Sequence, residues 1–165
     1  MSLQLNGVEP VPAIEVVTVL VVDDQQAVRE GLSRLISCAA MPLRCVATVA
    51  TGADALLAAS LHQPTVVVLD VDLGGEDGLA LIPQFAPATR VLVLTCHGDT
   101  LTRARASTMG ASAFIEKHEP AAVLLRSIVN VGRAVAIEET SPIQQGTRSH
   151  LHLTASSDVP VRLQT

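Results

Sequence analysis

Tryptophan and tyrosine are absent from this chain, and phenylalanine occurs only at Phe85 and Phe114. Any core must therefore be built from Val, Leu, Ile and Ala, and the lack of aromatics argues against folds that stack nucleic-acid bases on aromatic rings. Positive charge is also scarce. Eleven Lys and Arg stand against 16 Asp and Glu, a formal net charge of −5, which argues against a binder of phosphate backbones. Only three cysteines occur, Cys38, Cys45 and Cys96, with no CxxC pair and no metal-ligand spacing. Such thiols read as reduced and buried, in a cytoplasmic protein. Long hydrophobic runs are missing too. The longest uncharged stretch, Ala55 to Leu69, contains His62, Gln63 and Pro64, so no membrane span is expected. Residues 1–14 lack both a basic start and a long apolar stretch, so they are not expected to be a signal peptide.

Apolar residues nonetheless make up 48% of the 165 residues, and the mean hydropathy is +0.42. That is enough for one domain with a real core. The domain is expected over residues 15–137, after a loose leader at 1–14 and before a polar tail at 138–165, disordered or loosely packed. His150-Leu151-His152 lies in that tail without further ligands and reads as solvated rather than as a metal site.

Inside the domain, continuous apolar runs alternate with helical patterns. Val16 to Val22, Val66 to Leu69 and Val91 to Leu94 show no polar alternation, as suits strands buried on both faces. Arg44 to Val49 is a weaker strand with polar residues, which fits a sheet edge, and Ser112 to Ile115 is a short fifth. Between them, Gln25 to Cys38 places Val28, Leu32, Leu35 and Ile36 on one helical face. Thr51 reads as an N-cap for a helix over 52–61. Further helices are expected over 78–85, despite Pro83, over 100–109 before Gly110, and from Pro120 to about Ala136. Five strands alternating with five helices predict an α/β fold with a doubly wound parallel sheet.

Two strands end in acid. Val22 is followed by Asp23-Asp24, and Leu69 by Asp70-Val71-Asp72. If these strands are neighbours, three carboxylates meet at one sheet edge, where open α/β sheets bind ligands. They would repel one another unless a cation stood between them, and Mg²⁺ suits oxygen ligands of this kind. Thr95 and Lys117 close the fourth and fifth strands at the same edge.

With these four features in this order, the chain resembles the receiver domain of bacterial two-component response regulators, over roughly Val16 to Ala136. The stretch Val21 to Leu32 most resembles the subfamily joined to a helix-turn-helix of the NarL/LuxR kind. The resemblance implies strand order 2-1-3-4-5 and an Asp70 that takes a phosphoryl group from a histidine kinase or phosphotransfer protein. It implies Mg²⁺ at Asp23, Asp24, Asp70 and the Asp72 carbonyl, and phosphoryl oxygens bound by Thr95 and Lys117. Thr95 and Phe114 would switch together, although Phe114 is equally readable as a core aromatic on an edge strand. The family passes its signal to a downstream protein target and often pairs into homodimers through its helical faces. Its own chemistry is weak self-phosphorylation and slow hydrolysis, not turnover of free substrates.

Several positions depart from the family pattern. Cys96 replaces a small residue and, with His97, stands at the access to the site. His118 and Gly74 stand where proline is common, and Gly74 implies a more mobile loop after Asp70. Two other readings fit parts of the sequence. Residues 140–165 are too short for a DNA-reading domain and lack a basic amphipathic helix, so no direct nucleic-acid binding is expected. The chain is then either a stand-alone receiver or the regulatory half of a truncated transcription factor. Asp70-Val71-Asp72 also matches the DxD of haloacid-dehalogenase phosphatases, but those carry it on the first strand and their other acidic motif later.

Overall fold

The structure is a computed structural model that describes residues 15–85 and 87–140, the last six as backbone. The expected leader 1–14, His150-Leu151-His152 and the rest of 141–165 lie outside the described residues. In chain order come β1 (Val17–Val22), α1 (Gln26–Cys38), β2 (Leu43–Val49), α2 (Gly52–His62) and β3 (Val66–Leu69). A short hairpin pairs Asp72–Leu73 with Glu76–Asp77, and a 3₁₀ helix spans Gly78–Gln84. Then follow β4 (Arg90–Thr95), α3 (Thr100–Thr108), β5 (Ala113–Glu116) and α4 (Ala121–Thr140).

The five long strands form one parallel sheet in the order β2-β1-β3-β4-β5. This is the doubly wound order expected, and it places β2 at an edge, as its polar residues foretold. Because side chains alternate across a strand, each strand feeds two apolar layers. Leu20, Val22, Val67, Leu69, Val91 and Val93 pack toward α2, the 3₁₀ helix and α3. Val19, Val21, Val66, Val68, Leu92 and Leu94 pack toward Ile36 of α1 and Leu124, Leu125 and Ile128 of α4. Each fully buried Val or Leu contributes about 1.5–3 kcal/mol, so an aliphatic core suffices without aromatics. Among the described residues, no helix is long and apolar enough to cross a membrane.

Local signals explain most boundaries. Thr51 accepts a hydrogen bond from Asp54 N at 3.2 Å and so caps α2. Asp99 does the same for α3 through Thr102 N at 2.9 Å. Three expectations need correction. The segment over 78–85 is a 3₁₀ helix, because Pro83 removes a donor that an α-helix needs. The last helix continues to Thr140, past the expected end near Ala136, since no Gly or Pro follows Gly132 before Pro142. The cysteines are not a buried set. Cys38 and Cys96 are exposed, and only Cys45 is half-buried. Cys38 is the last residue of α1, two positions after the buried Ile36, and Cys96 lies one residue beyond β4.

Candidate functional site

At the carboxyl ends of the five strands, backbone hydrogen bonds carry the ladders into the residues that follow, joining β2, β1 and β3 on one side and β4 and β5 on the other. Asp23 N donates to Val49 O, Asp70 N to Val22 O and Lys117 N to Thr95 O, at 3.2, 2.9 and 2.8 Å. Each functional residue thus takes its place from a parallel ladder. Among the described residues, the buried side chains that are polar or charged are Asp23, Asp70 and Thr95, all at this one edge. Burying such groups costs free energy unless they are paired, so their grouping marks the site.

One oxygen from each of Asp23, Asp24 and Asp70 lies within 4.8 Å of the others. Lys117 Nζ reaches Oδ2 of Asp23 and Oδ2 of Asp70, both at 2.6 Å. Asp70 Oδ1 accepts from Val71 N at 2.7 Å, and Asp23 Oδ1 accepts from Gln25 N at 2.9 Å. Burial pushes the Asp70 carboxyl above its ordinary range, and the hydrogen bond and charge of Lys117 only partly offset this. For Lys117, burial alone would lower the pKa. Its bonds to Asp23 and Asp70 outweigh that and hold the ammonium above its ordinary value. Three carboxylates against one ammonium, which touches Asp23 and Asp70, leave an excess of negative charge that suits a divalent cation.

The other expected residues are placed as follows. Thr95 is buried, and its Oγ1 accepts from His97 N at 3.2 Å. Cys96 and His97 are exposed in the loop after β4. The side chain of Asp72 is exposed and accepts from Gly75 N at 2.8 Å, so it stands apart from the acidic group. Phe114 is half-buried against the core, with the Arg103 guanidinium 4.4 Å from its ring centroid.

Residues 19–129 match the response regulator receiver domain. The chain belongs to the response regulator receiver family. This receiver is 30% identical over 118 residues to the transcriptional regulatory protein LnrK of Bacillus subtilis, covering 70% of this chain and 53% of LnrK. The chain therefore spans about half the length of that relative. The solved receiver domain of the putative response regulator NarL from Mycobacterium tuberculosis superposes with a TM-score of 0.66 at 27% identity. That likeness covers 72% of this chain and 98% of the other. A response regulator from Burkholderia pseudomallei, solved with a phosphorylated aspartic acid, calcium ion and citrate, gives 0.61 at 25% identity, covering 74% and 72%. The fold and the NarL/LuxR-type kinship expected from the sequence are thereby shown.

The receiver also holds features that its sequence did not announce. Gly74 and Gly75 turn the hairpin after Asp70 with φ of +69° and +94°. Two positive φ values are what a two-residue type I′ turn demands. The loop after Asp70 is a paired hairpin, and proline, fixed near −65°, does not fit at Gly74. Gly78 is buried where a Cβ would overlap the Asp70 carbonyl. Glu76 accepts from Gly52 N at 3.1 Å, and Asp77 is ion-paired with Arg105 of α3. Arg29 of α1 donates through Nη1 to the carbonyls of Asp23 and Asp24 at 2.7 and 2.9 Å. Its one sequence signal is a basic residue five positions after the acidic pair.

Proposed function

We propose that Asp70 accepts a phosphoryl group from a sensor histidine kinase or a phosphotransfer protein and thereby switches contacts with a downstream protein target in the cytoplasm. The carrying observation is a buried carboxylate, hydrogen-bonded to a lysine and grouped with two further carboxylates at one sheet edge. The phosphorylated aspartic acid in the Burkholderia relative supports the same reading.

Asp23, Asp24 and Asp70, with the Asp72 carbonyl, would hold Mg²⁺, and their donor set of hard oxygens fits that ion. When bound, Mg²⁺ would neutralise charge at the acidic edge as a phosphoryl group approaches. An Asp70 oxygen attacks phosphorus and forms the new P–O bond. The P–N bond of the phosphohistidine breaks, its electron pair returns to the imidazole, and that nitrogen takes a proton from water. Lys117, already 2.6 Å from Asp70, meets a phosphoryl oxygen as a point positive charge. Thr95 donates its hydroxyl to another. The added charge of roughly −1.5 to −2 draws Thr95 inward, and Phe114 follows into the space it leaves.

Intact-mass spectrometry after incubation with acetyl phosphate tests this. A single phosphoryl adduct that requires both Mg²⁺ and Asp70 is expected. An adduct that persists in Asp70→Asn, or none under any condition, overturns the reading. A second reading, the regulatory part of a DNA-binding transcription factor, is supported by LnrK being a transcriptional regulatory protein of which this chain covers 53%. Retention on promoter DNA at physiological salt would favour it.

A further inference from the structure

Arg29 is the fourth residue of α1. A positive charge this near a helix N-terminus opposes the helix dipole, typically by about 0.3–1 kcal/mol. The first turn holds no acidic residue, and Gln25 makes no side-chain cap. Helix stability therefore does not explain an arginine here.

Its contacts do. Nη1 gives one hydrogen to the Asp23 carbonyl and one to the Asp24 carbonyl, at 2.7 and 2.9 Å. These are charge-assisted bonds, roughly twice as strong as neutral ones. The guanidinium stands beside a group of three carboxylates, yet it bonds backbone oxygens. Arg29 itself makes no hydrogen bond to a carboxylate oxygen. Asp23 has other anchors, through Val49 O and Gln25 N. Among the described residues, the exposed Asp24 carboxylate joins no hydrogen bond or ion pair, and Arg29 is the side chain that fixes its carbonyl.

We propose that Arg29 is a positioning residue of the acidic site, which clamps two consecutive carbonyls so that the Asp23 and Asp24 carboxylates are set to receive a divalent cation. The inference rests on the reading of Asp23, Asp24 and Asp70 as a cation site. It touches no reacting atom. Its effect is organisational, like the outer-shell partners that hold metal ligands in place. A purely electrostatic role has the opposite sign, because removing a nearby positive charge would tighten cation binding.

The test is a Mg²⁺ titration of the full chain, wild type and Arg29→Met, followed by the amide signals of Asp23 and Asp24 and by calorimetry. Loss of an outer-shell partner predicts affinity weaker by roughly tenfold or more. Phosphorylation by acetyl phosphate should then need correspondingly more Mg²⁺ but reach a near wild-type rate at saturation. Unchanged or tighter binding in a folded Arg29→Met overturns the inference. Equal affinity with a lowered maximal rate does so too. Should Arg29→Met not fold, Arg29→Gln is judged by the same criteria. A wild-type chain with no Mg²⁺ response overturns the site reading itself, and this inference with it.

Discussion

Lys117 and Asp70, 47 residues apart in the chain, meet with 2.6 Å between Nζ and Oδ2. The same ammonium touches Asp23, so one side chain pairs with two buried carboxylates. Lys117→Met leaves both without that partner. A loss of about 1–3 kcal/mol is expected, since unpaired buried acceptors cost that much and more when charged. Urea unfolding at pH 7 should show the loss, and Mg²⁺ should recover part of it. A variant as stable as wild type would disprove the pairing's role.

The raised Asp70 pKa makes a signed prediction. Burial, the larger cause, disfavours the carboxylate more than Lys117 favours it. Ionising Asp70 therefore costs folding free energy. The cost is absent below the unfolded pKa, grows as pH rises toward the folded one and is complete above it. Asp70→Asn should have a higher urea midpoint than wild type at pH 7. The difference should vanish below about pH 3. A variant less stable at pH 7 would show that the charged form is favoured instead.

Gly78 presses on the strand end that carries Asp70. Any Cβ there overlaps the Asp70 carbonyl, and backbone cannot swing aside as a side chain does. Gly78→Ala should cost about 1–3 kcal/mol, as overpacking does. It should also slow adduct formation at Asp70, measured by intact mass against the thermal melt of the same sample.

Gly74 carries φ of +69°. Gly74→Pro restores the residue common in the family, yet it should destabilise this receiver by more than about 1 kcal/mol, since proline cannot take that angle. A neutral or stabilised melt would show that the hairpin is not required.

The thiols should separate by reactivity. Cys38 and Cys96 are exposed, whereas burial raises the Cys45 pKa. A disulfide reagent at neutral pH should label two thiols quickly and Cys45 slowly, because the thiolate is the reactive form. Fast labelling of all three would contradict the packing around β2.

The parts of the fold written in hydrophobic pattern were readable. Unbroken aliphatic runs marked β1, β3 and β4, and the acids that end two of them marked the edge where they converge. The site was legible because its residues follow strands, whose ends are easy to find. The hairpin was not, since Leu73-Gly74-Gly75-Glu76 offers too short a period to separate strand from turn. Thiol exposure was misread because apolar neighbours in sequence do not decide which way a loop or helix end faces. Arg29 escaped because its partners are backbone carbonyls, which every residue has and no motif records.

The two apolar layers share no side chain with the acidic edge. Exchanges between Leu and Ile inside a layer usually cost under about 1.5 kcal/mol, whereas losing the partner of a buried charge at the edge costs more. Mutation can therefore rewrite the interior over generations while the ends of the strands stay where they are. Shape can then be kept while sequence changes, and the tuberculosis receiver superposes on this one at 27% identity.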